Sequence, residues 1–335
     1  MDEKPNARDG GRAKTEATAD RQREIQREQD RKDEARPQGK EGADRKGVQA
    51  GARPQPDQLP AQHMAKPGVE ADMQLKPRFE APDYKGSGKL QDMVAIVTGG
   101  DSGIGRAVAV LFAREGADVA IVYLESHQDA QETKRWVEKE GRRCLPIAGD
   151  VKDSAFCRQA VETTVKELGK LDILVNNAAF QEHADSLADI TDERLEETFR
   201  TNIFGYVYMA RAALPHLKQG SSIINTGSVT GLQGSRKLLD YSATKGAIHA
   251  FTMSLASNVI DKGIRVNAVA PGPVWTPLNP ADSSADKVAE FGKSTDFHRP
   301  AQPEELSPAY VYLASPVCSG YVTGIVLPVT GSVGS

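Results

Sequence analysis

Cysteine is scarce in this 335-residue chain, and Cys144, Cys157 and Cys318 are scattered without metal-ligand spacing. That excludes a disulfide scaffold and a cysteine-held metal, and it fits a reducing compartment. The six histidines stand equally isolated, so no metal site is expected. Long apolar runs are missing too. No stretch reaches the length of a signal-peptide core or a membrane helix, which predicts a cytoplasmic protein with no membrane partner. Nor is there an excess of one charge: 42 Lys+Arg against 46 Asp+Glu leave −4, which suits solubility and argues against nucleic acid.

The shortage is sharpest at the front. Residues 1–58 contain no Leu, Phe, Tyr or Trp, and Met1, Ile25 and Val48 are their only large apolar side chains. The first 50 residues carry 13 Lys+Arg and 12 Asp+Glu, too mixed for a basic arm. Such a segment cannot bury enough apolar surface to offset chain entropy, so 1–58 is expected to be a disordered charged tail. A transient helix around Ala13–Ala35 is allowed, because Glu28 and Lys32 pair at i+4. Residues 59–89, following a Pro- and Gly-rich stretch, read as an extended linker or arm. The remainder, 90–335, has the size of one domain.

In that remainder, apolar runs alternate with helical patterns. The predicted strands are Val94–Thr98, Val119–Tyr123, Cys144–Ala148, Ile173–Val175, Ser222–Thr226, Ile264–Val269 and Ile325–Val329. Long helices are expected near Asp192–Lys218 and Tyr241–Lys262. The order predicts an α/β fold, a doubly wound Rossmann-type parallel sheet of seven strands with helices on both faces. In such sheets ligands bind beyond the carboxyl ends of the strands. Thr98, Asp150, Asn176, Ser228 and Pro271 all follow strand ends, which points to one shared site.

Two segments carry the chemistry. The first strand breaks into Thr98-Gly-Gly-Asp-Ser-Gly-Ile-Gly105 and then a helical pattern. Gly99, Gly103 and Gly105 permit a tight turn and close approach of a ligand, and the helix start offers N–H groups to a pyrophosphate. The second segment is Tyr241-Ser-Ala-Thr-Lys245, with Ser228 thirteen residues before the Tyr. On a helix, i and i+4 share a face, so the ammonium reaches the neighbourhood of the phenol. A nearby cation favours the phenolate, drawing the Tyr from ~10 toward the working range of an acid or base. The Ser can hold a carbonyl or alkoxide oxygen against it.

These marks occur together with Asp150-Val151, Asn176-Asn-Ala-Ala179, Asn202 and Pro271-Gly-Pro-Val-Trp-Thr276, in the order and at the spacings of one family. From about Leu90 onward the chain resembles the short-chain dehydrogenase/reductase family. Tyr84-Lys-Gly-Ser-Gly-Lys-Leu90 and Asn-Asn-Ala-Ala-Phe-Gln look like a subgroup of general stress proteins, NADPH-dependent aldehyde reductases and glucose/ribitol dehydrogenase homologues.

The resemblance implies roles. Gly99, Asp101, Ser102, Gly103, Ile104, Gly105 and Tyr123 would border the cofactor, Asp150 and Val151 its adenine, and Asn177 and Ala178 the crevice floor. Pro271, Gly272, Val274 and Thr276 would meet the nicotinamide carboxamide. Ser228 would orient the substrate oxygen, Tyr241 would transfer the proton, and Lys245 would hold the nicotinamide ribose. Asn202 would bend its helix so that a carbonyl orders a water bonded to Lys245.

The family usually has Gly where Ala179 stands, so the backbone there must avoid strongly positive φ. The place of the ribose-binding acid holds Tyr123, followed by Leu124 and Glu125, with no Arg for a 2′-phosphate. NADP(H) is favoured by the subgroup alone, and NAD(H) stays open. Substrate choice is expected in Leu278–His298, with Ala281–Phe291 as a mobile lid helix and Phe180, Gln181, Gln233 and Trp275 as pocket walls. The C-terminal Val329-Thr-Gly-Ser-Val-Gly-Ser335 lacks the acid and paired glycines of many relatives. A homotetramer through the helices of Asn202 and Tyr241 is implied. The expected function is an NADP(H)-linked oxidoreductase between an alcohol and an aldehyde or ketone. The alternatives are an NAD-dependent sugar or polyol dehydrogenase, or a stress protectant acting through its hydrophilic tail.

Overall fold

Strands that are apolar on both faces must be covered on both, and the sheet is built that way. The computed structural model describes residues 7–35, 55–56 and 58–332. Its seven strands are β1 (Val94–Thr98), β2 (Asp118–Tyr123), β3 (Cys144–Ala148), β4 (Ile173–Asn176), β5 (Ser222–Thr226), β6 (Arg265–Pro271) and β7 (Val326–Val329). They lie in the order β3-β2-β1-β4-β5-β6-β7, and every pairing is parallel. The chain reverses direction across the sheet between β1 and β4, which is the switch point. All seven expected strands are present, three with unchanged bounds. The others shift by one or two residues at an end.

The helices are α1 (Ala7–Glu34), α2 (Gly103–Arg114), α3 (His127–Lys139), α4 (Ser154–Leu168), α5 (Asp192–Phe199), α6 (Gly205–Ala213), α7 (Thr230–Gln233), α8 (Leu239–Val259), α9 (Ala285–Ala289), α10 (Pro303–Ala314) and α11 (Pro316–Ser319). Alternation along β1 and β2 divides the core. Ala95, Val97, Val119 and Ile121 face α2 and α10 on one side. Val94, Ile96, Ala120 and Val122 face α4, α6 and α8 on the other. Ile96 and Ile121 are fully buried, and each such side chain contributes roughly 1.5–3 kcal/mol.

The expected long helix over Asp192–Lys218 is interrupted. Between α5 and α6, Arg200–Phe204 form one π-helical turn with Asn202 at its centre, a feature common at functional sites. The Asn202 side chain explains the break, because it bonds away from its own helix. Its Oδ1 accepts from Phe180 N at 2.8 Å, and its Nδ2 donates to Phe180 O at 2.9 Å.

The extension adds a structural element that its composition obscures. The helix allowed over Ala13–Ala35 is present as α1, and it lies on the domain instead of standing free. Thr18, Gln22, Gln26 and Gln29 share one face and are buried. Within the tail expected over 1–58, α1 docks through side-chain amides. Gln26 Nε2 donates to Met64 O and Ala281 O, and its Oε1 accepts from Lys66 N. The rest of that tail call, 1–6, 36–54 and 57, lies outside the described residues. Residues 59–89 contain a 3₁₀ turn at Glu70–Asp72 and further turns at 66–67 and 82–83, and they bury Met64, Lys66, Glu70 and Met73.

Candidate active site

The ends of β1 and β4 are joined by one hydroxyl. Thr98 Oγ1 accepts from Asn177 N at 2.8 Å and Ala178 N at 3.0 Å. Asn177 Nδ2 in turn donates to Thr98 O and Gly99 O, and Thr226 Oγ1 donates to Asn177 Oδ1. This opens the sheet at the switch point and fixes the turn that follows β1. Gly99 and Gly103 have φ of 61° and 50°. A Cβ on Gly105 would stand 1.9 Å from Gly99 O, so the turn closes only with glycine there. Ala179 is not among the positive-φ residues, as its Cβ requires.

Beyond the strand ends lies a cavity of about 500 Å³. Its wall brings together the glycine turn, Tyr123, Asp150, Val151, Asn177, Ala178, Ser228, Tyr241, Lys245 and the loop of Pro271, Gly272, Val274 and Thr276. Of the cofactor-facing residues expected from the sequence, all but Gly105 border this crevice. A glycine-rich turn, a helix terminus and a crevice at the switch point fit a dinucleotide. One donor is already engaged: Gly103 N gives its hydrogen bond to Glu70 Oε2 at 2.7 Å. Glu70 reaches there from the arm and is paired with Arg106. Desolvation at the crevice wall pushes the Asp101 carboxyl up to about 6, which softens the repulsion it would offer a phosphate.

At the other end, Ser228, Tyr241 and Lys245 converge on α8 and the end of β5. Ser228 stands close enough to the Tyr241 phenol to favour its ionised form, and its Oγ accepts from Thr230 N at 3.1 Å and Thr230 Oγ1 at 3.0 Å. Lys245 is fully buried, with Nζ 5.4 Å from the Tyr241 ring centre. It donates to Thr226 O at 2.8 Å and Tyr206 OH at 3.3 Å. The electrostatics differ from the expectation of an acidified phenol. Burial holds the Tyr241 hydroxyl above its ordinary value despite Ser228, and burial brings the Lys245 ammonium down to about 7. In both groups burial favours the neutral form.

Asn202 does not line the cavity. Its Nδ2 also bonds Thr244 Oγ1 at 3.1 Å, one residue before Lys245. Tyr206 and Thr226 O, which hold the lysine, were missed by sequence reasoning, since neither belongs to a motif. Gln181 and Gln233 line the crevice, but Phe180 and Trp275 do not. Trp275 is fully buried among Met64, Met73, Ala281 and Val288, and its Nε1 donates to Leu75 O. Within the segment expected as a mobile lid helix, Ala281–Phe291, the helix α9 is short and Val288 packs with Met64, Met73 and Trp275. Thr18 and Gln22 of α1 also line the cavity, with no sequence signal to mark them.

Glu182, His183 and Asp282 bring three metal-capable side chains within 4.8 Å of one another. Burial opposes charge on His183, but hydrogen bonds to Asp282 and Glu182 outweigh it and push the imidazole up to about 10. His183 Nε2 lies 2.6 Å from Asp33 Oδ2, and Nδ1 lies 3.1 Å from Asp282 Oδ1. An imidazolium donating from both nitrogens has no lone pair for a metal. The cluster is an ionic clamp.

Residues 99–333 match a family model described as enoyl-(acyl carrier protein) reductase. General stress protein 39 of Bacillus subtilis (strain 168) is 54% identical over 277 residues, covering 82% of this chain and 96% of that protein. The chloroplastic NADPH-dependent aldehyde reductase 1 of Arabidopsis thaliana is 48% identical over 273 residues, covering 80% of this chain and 95% of its own length. A crystal structure of a short chain dehydrogenase from Burkholderia cenocepacia J2315 in complex with NADP superposes with a TM-score of 0.69. It is 32% identical and covers 74% of this chain and 100% of that one.

Proposed function

We propose, for a chain that belongs to the short-chain dehydrogenase/reductase family and is an NAD(P)-dependent oxidoreductase, that it interconverts an aldehyde or ketone and an alcohol, with NADP(H) preferred. The observation that carries this reading is a single crevice with the glycine turn on its wall and Ser228, Tyr241 and Lys245 at one end. The bound dinucleotide supplies or receives the hydride at the substrate carbon. Ser228 holds the substrate oxygen through its hydroxyl, and the Tyr241 O–H gives that oxygen its proton as the C=O bond becomes C–O. A phenol kept protonated by burial is ready for this reducing direction. Lys245 fixes the nicotinamide ribose, and Asn202 sets its placement through Phe180 and Thr244. In oxidation the same groups run in reverse, with Tyr241 taking the proton.

NADP(H) is supported by the names of the aldehyde reductase and the superposed complex, not by a cation on β2. The same reading carries a cytoplasmic homotetramer. Phe204, Leu239 and Met253, on the chain segments that hold Asn202 and Tyr241, are 42%, 37% and 49% exposed. Light scattering should give four times the chain mass, and a monomer would remove that proposal. For the chemistry, a panel of aldehydes, aldoses and polyols is read by nicotinamide absorbance with each cofactor. Turnover is expected with aldehydes and NADPH, and it should disappear in Tyr241→Phe while cofactor binding stays. Unchanged rates in that variant would end the reading, and clear preference for NADH would end its NADP(H) part.

A further inference from the structure

The adenosine end of the crevice has an unusual wall. Where β2 ends, Tyr123, Leu124 and Glu125 offer neither a ribose-binding acid at the expected place nor a phosphate-binding cation. Two residues of α1 take part in the wall there. Thr18 and Gln22 of α1 line the same cavity as Leu124, Ser126, Asp150 and Val151. They come from residues 132 and 175 positions away in sequence from the groups they bond. Thr18 Oγ1 donates to Asp150 Oδ2 at 2.6 Å, while Asp150 Oδ1 accepts from Lys152 N at 2.9 Å. Gln22 Nε2 donates to Glu197 Oε1 at 3.0 Å.

From α1, then, we infer that the helix is the outer wall of the adenosine subsite, so that the N-terminal extension is part of the cofactor site. This inference rests on the dinucleotide reading above and says which residues complete it. Thr18 fixes the direction of the Asp150 carboxylate, leaving lone pairs on both oxygens to accept from an exocyclic amine. Thr18 and Gln22 border the same cavity as Val151, so a flat base held there loses water to both. Ion pairs spaced along α1 latch the wall to the domain. Lys14 Nζ pairs with Asp153 at 3.1 Å, and Asp33 Oδ2 meets His183 Nε2 at 2.6 Å. Between these, the Arg23 guanidinium pairs with Glu125 at the tip after β2, and its Nε donates to Lys66 O at 3.0 Å. That middle latch joins α1 to the turn that borders the ribose, which makes it the point where helix position and cofactor affinity meet.

The wall acts on one half of the cofactor only, and this separates it from a merely structural helix. The test uses the full chain and fluorescence titration with NADPH, ADP-ribose and reduced nicotinamide mononucleotide. In Arg23→Glu the latch becomes a repulsion with Glu125. NADPH and ADP-ribose should then bind about tenfold more weakly, the scale of losing one or two charge-assisted contacts. The mononucleotide, which does not reach α1, should bind as before. The reciprocal pair Arg23→Glu with Glu125→Arg should restore ADP-ribose binding. Thr18→Val, which removes only the hydroxyl, should weaken ADP-ribose by a few fold.

Equal ADP-ribose affinity in wild type and Arg23→Glu would overturn the inference. So would tighter binding, which would make α1 a plug, or parallel loss of mononucleotide binding with no rescue. A wild-type protein that binds none of the three ligands would overturn the dinucleotide reading itself. Normal wild-type binding with indifferent variants would overturn the wall alone.

Discussion

The two ends of the crevice are made in different ways. At the reactive end, every group comes from the sheet domain: Ser228 after β5, Tyr241 and Lys245 on α8, and the Pro271–Thr276 loop after β6. At the end proposed for adenosine, the domain supplies Tyr123, Leu124, Ser126, Asp150 and Val151, and α1, more than a hundred residues earlier in the chain, adds Thr18 and Gln22. The reactive end is held by apolar burial and strand ends. The adenosine end is held by amides and ion pairs across solvent-near surface. The first is stiff because the core around it is close-packed, and the second can be loosened without touching that core.

Three experiments sharpen the contrast, beginning with the largest effect. Tyr241→Phe removes one oxygen from the reactive end and should lower kcat by about 10²–10⁴ with cofactor affinity kept, as expected for loss of a positioned acid or base. Stopped-flow turnover within threefold of wild type would break the assignment of that end. Gly105→Ala places a Cβ against Gly99 O and cannot be absorbed by side-chain motion. It should cost at least about 1–3 kcal/mol of stability and weaken nucleotide binding, as overpacking of a tight turn does. A thermal midpoint and cofactor affinity equal to wild type would break the account of the turn.

The smallest effect concerns the clamp of α1. His183 titrates near 10 in the folded protein, above its ordinary value of 6.5. Its charge therefore stabilises the fold fully below about pH 6.5, and this contribution is lost as pH rises through about 10. Amide exchange in α1 should quicken over that upper range while exchange in β1 and β4 stays slow. Asp33→Asn should flatten the change, and identical pH profiles for α1 and the central strands would remove the distinction between the two regions.

The sheet was legible because parallel strands covered on both faces are continuous β-branched runs, and Val94–Thr98 or Ser222–Thr226 admit little else. The glycine turn, Ser228, Tyr241 and Lys245 were legible because each stands at a strand end or at helical spacing. Other features left no such pattern. The π turn at Asn202 depends on Phe180, twenty-two residues away, which no local periodicity reports. Trp275 looked like a pocket wall until Leu59, Met64 and Met73 of the arm were seen to cover it. The extension looked unable to order because it has almost no apolar surface, yet four buried polar residues on one face of α1 find partners on the domain.

What the amino-acid order determined by itself was the periodic part: which runs become strands, where they break, and which three side chains meet beyond their ends. Only the folded chain decided how those groups are charged and enclosed. Burial raises the Tyr241 phenol above its ordinary value, and long-range side-chain hydrogen bonds hold α1 against Asp150. Desolvation and contact between distant segments exist only once the chain is packed, so no window of sequence carries them.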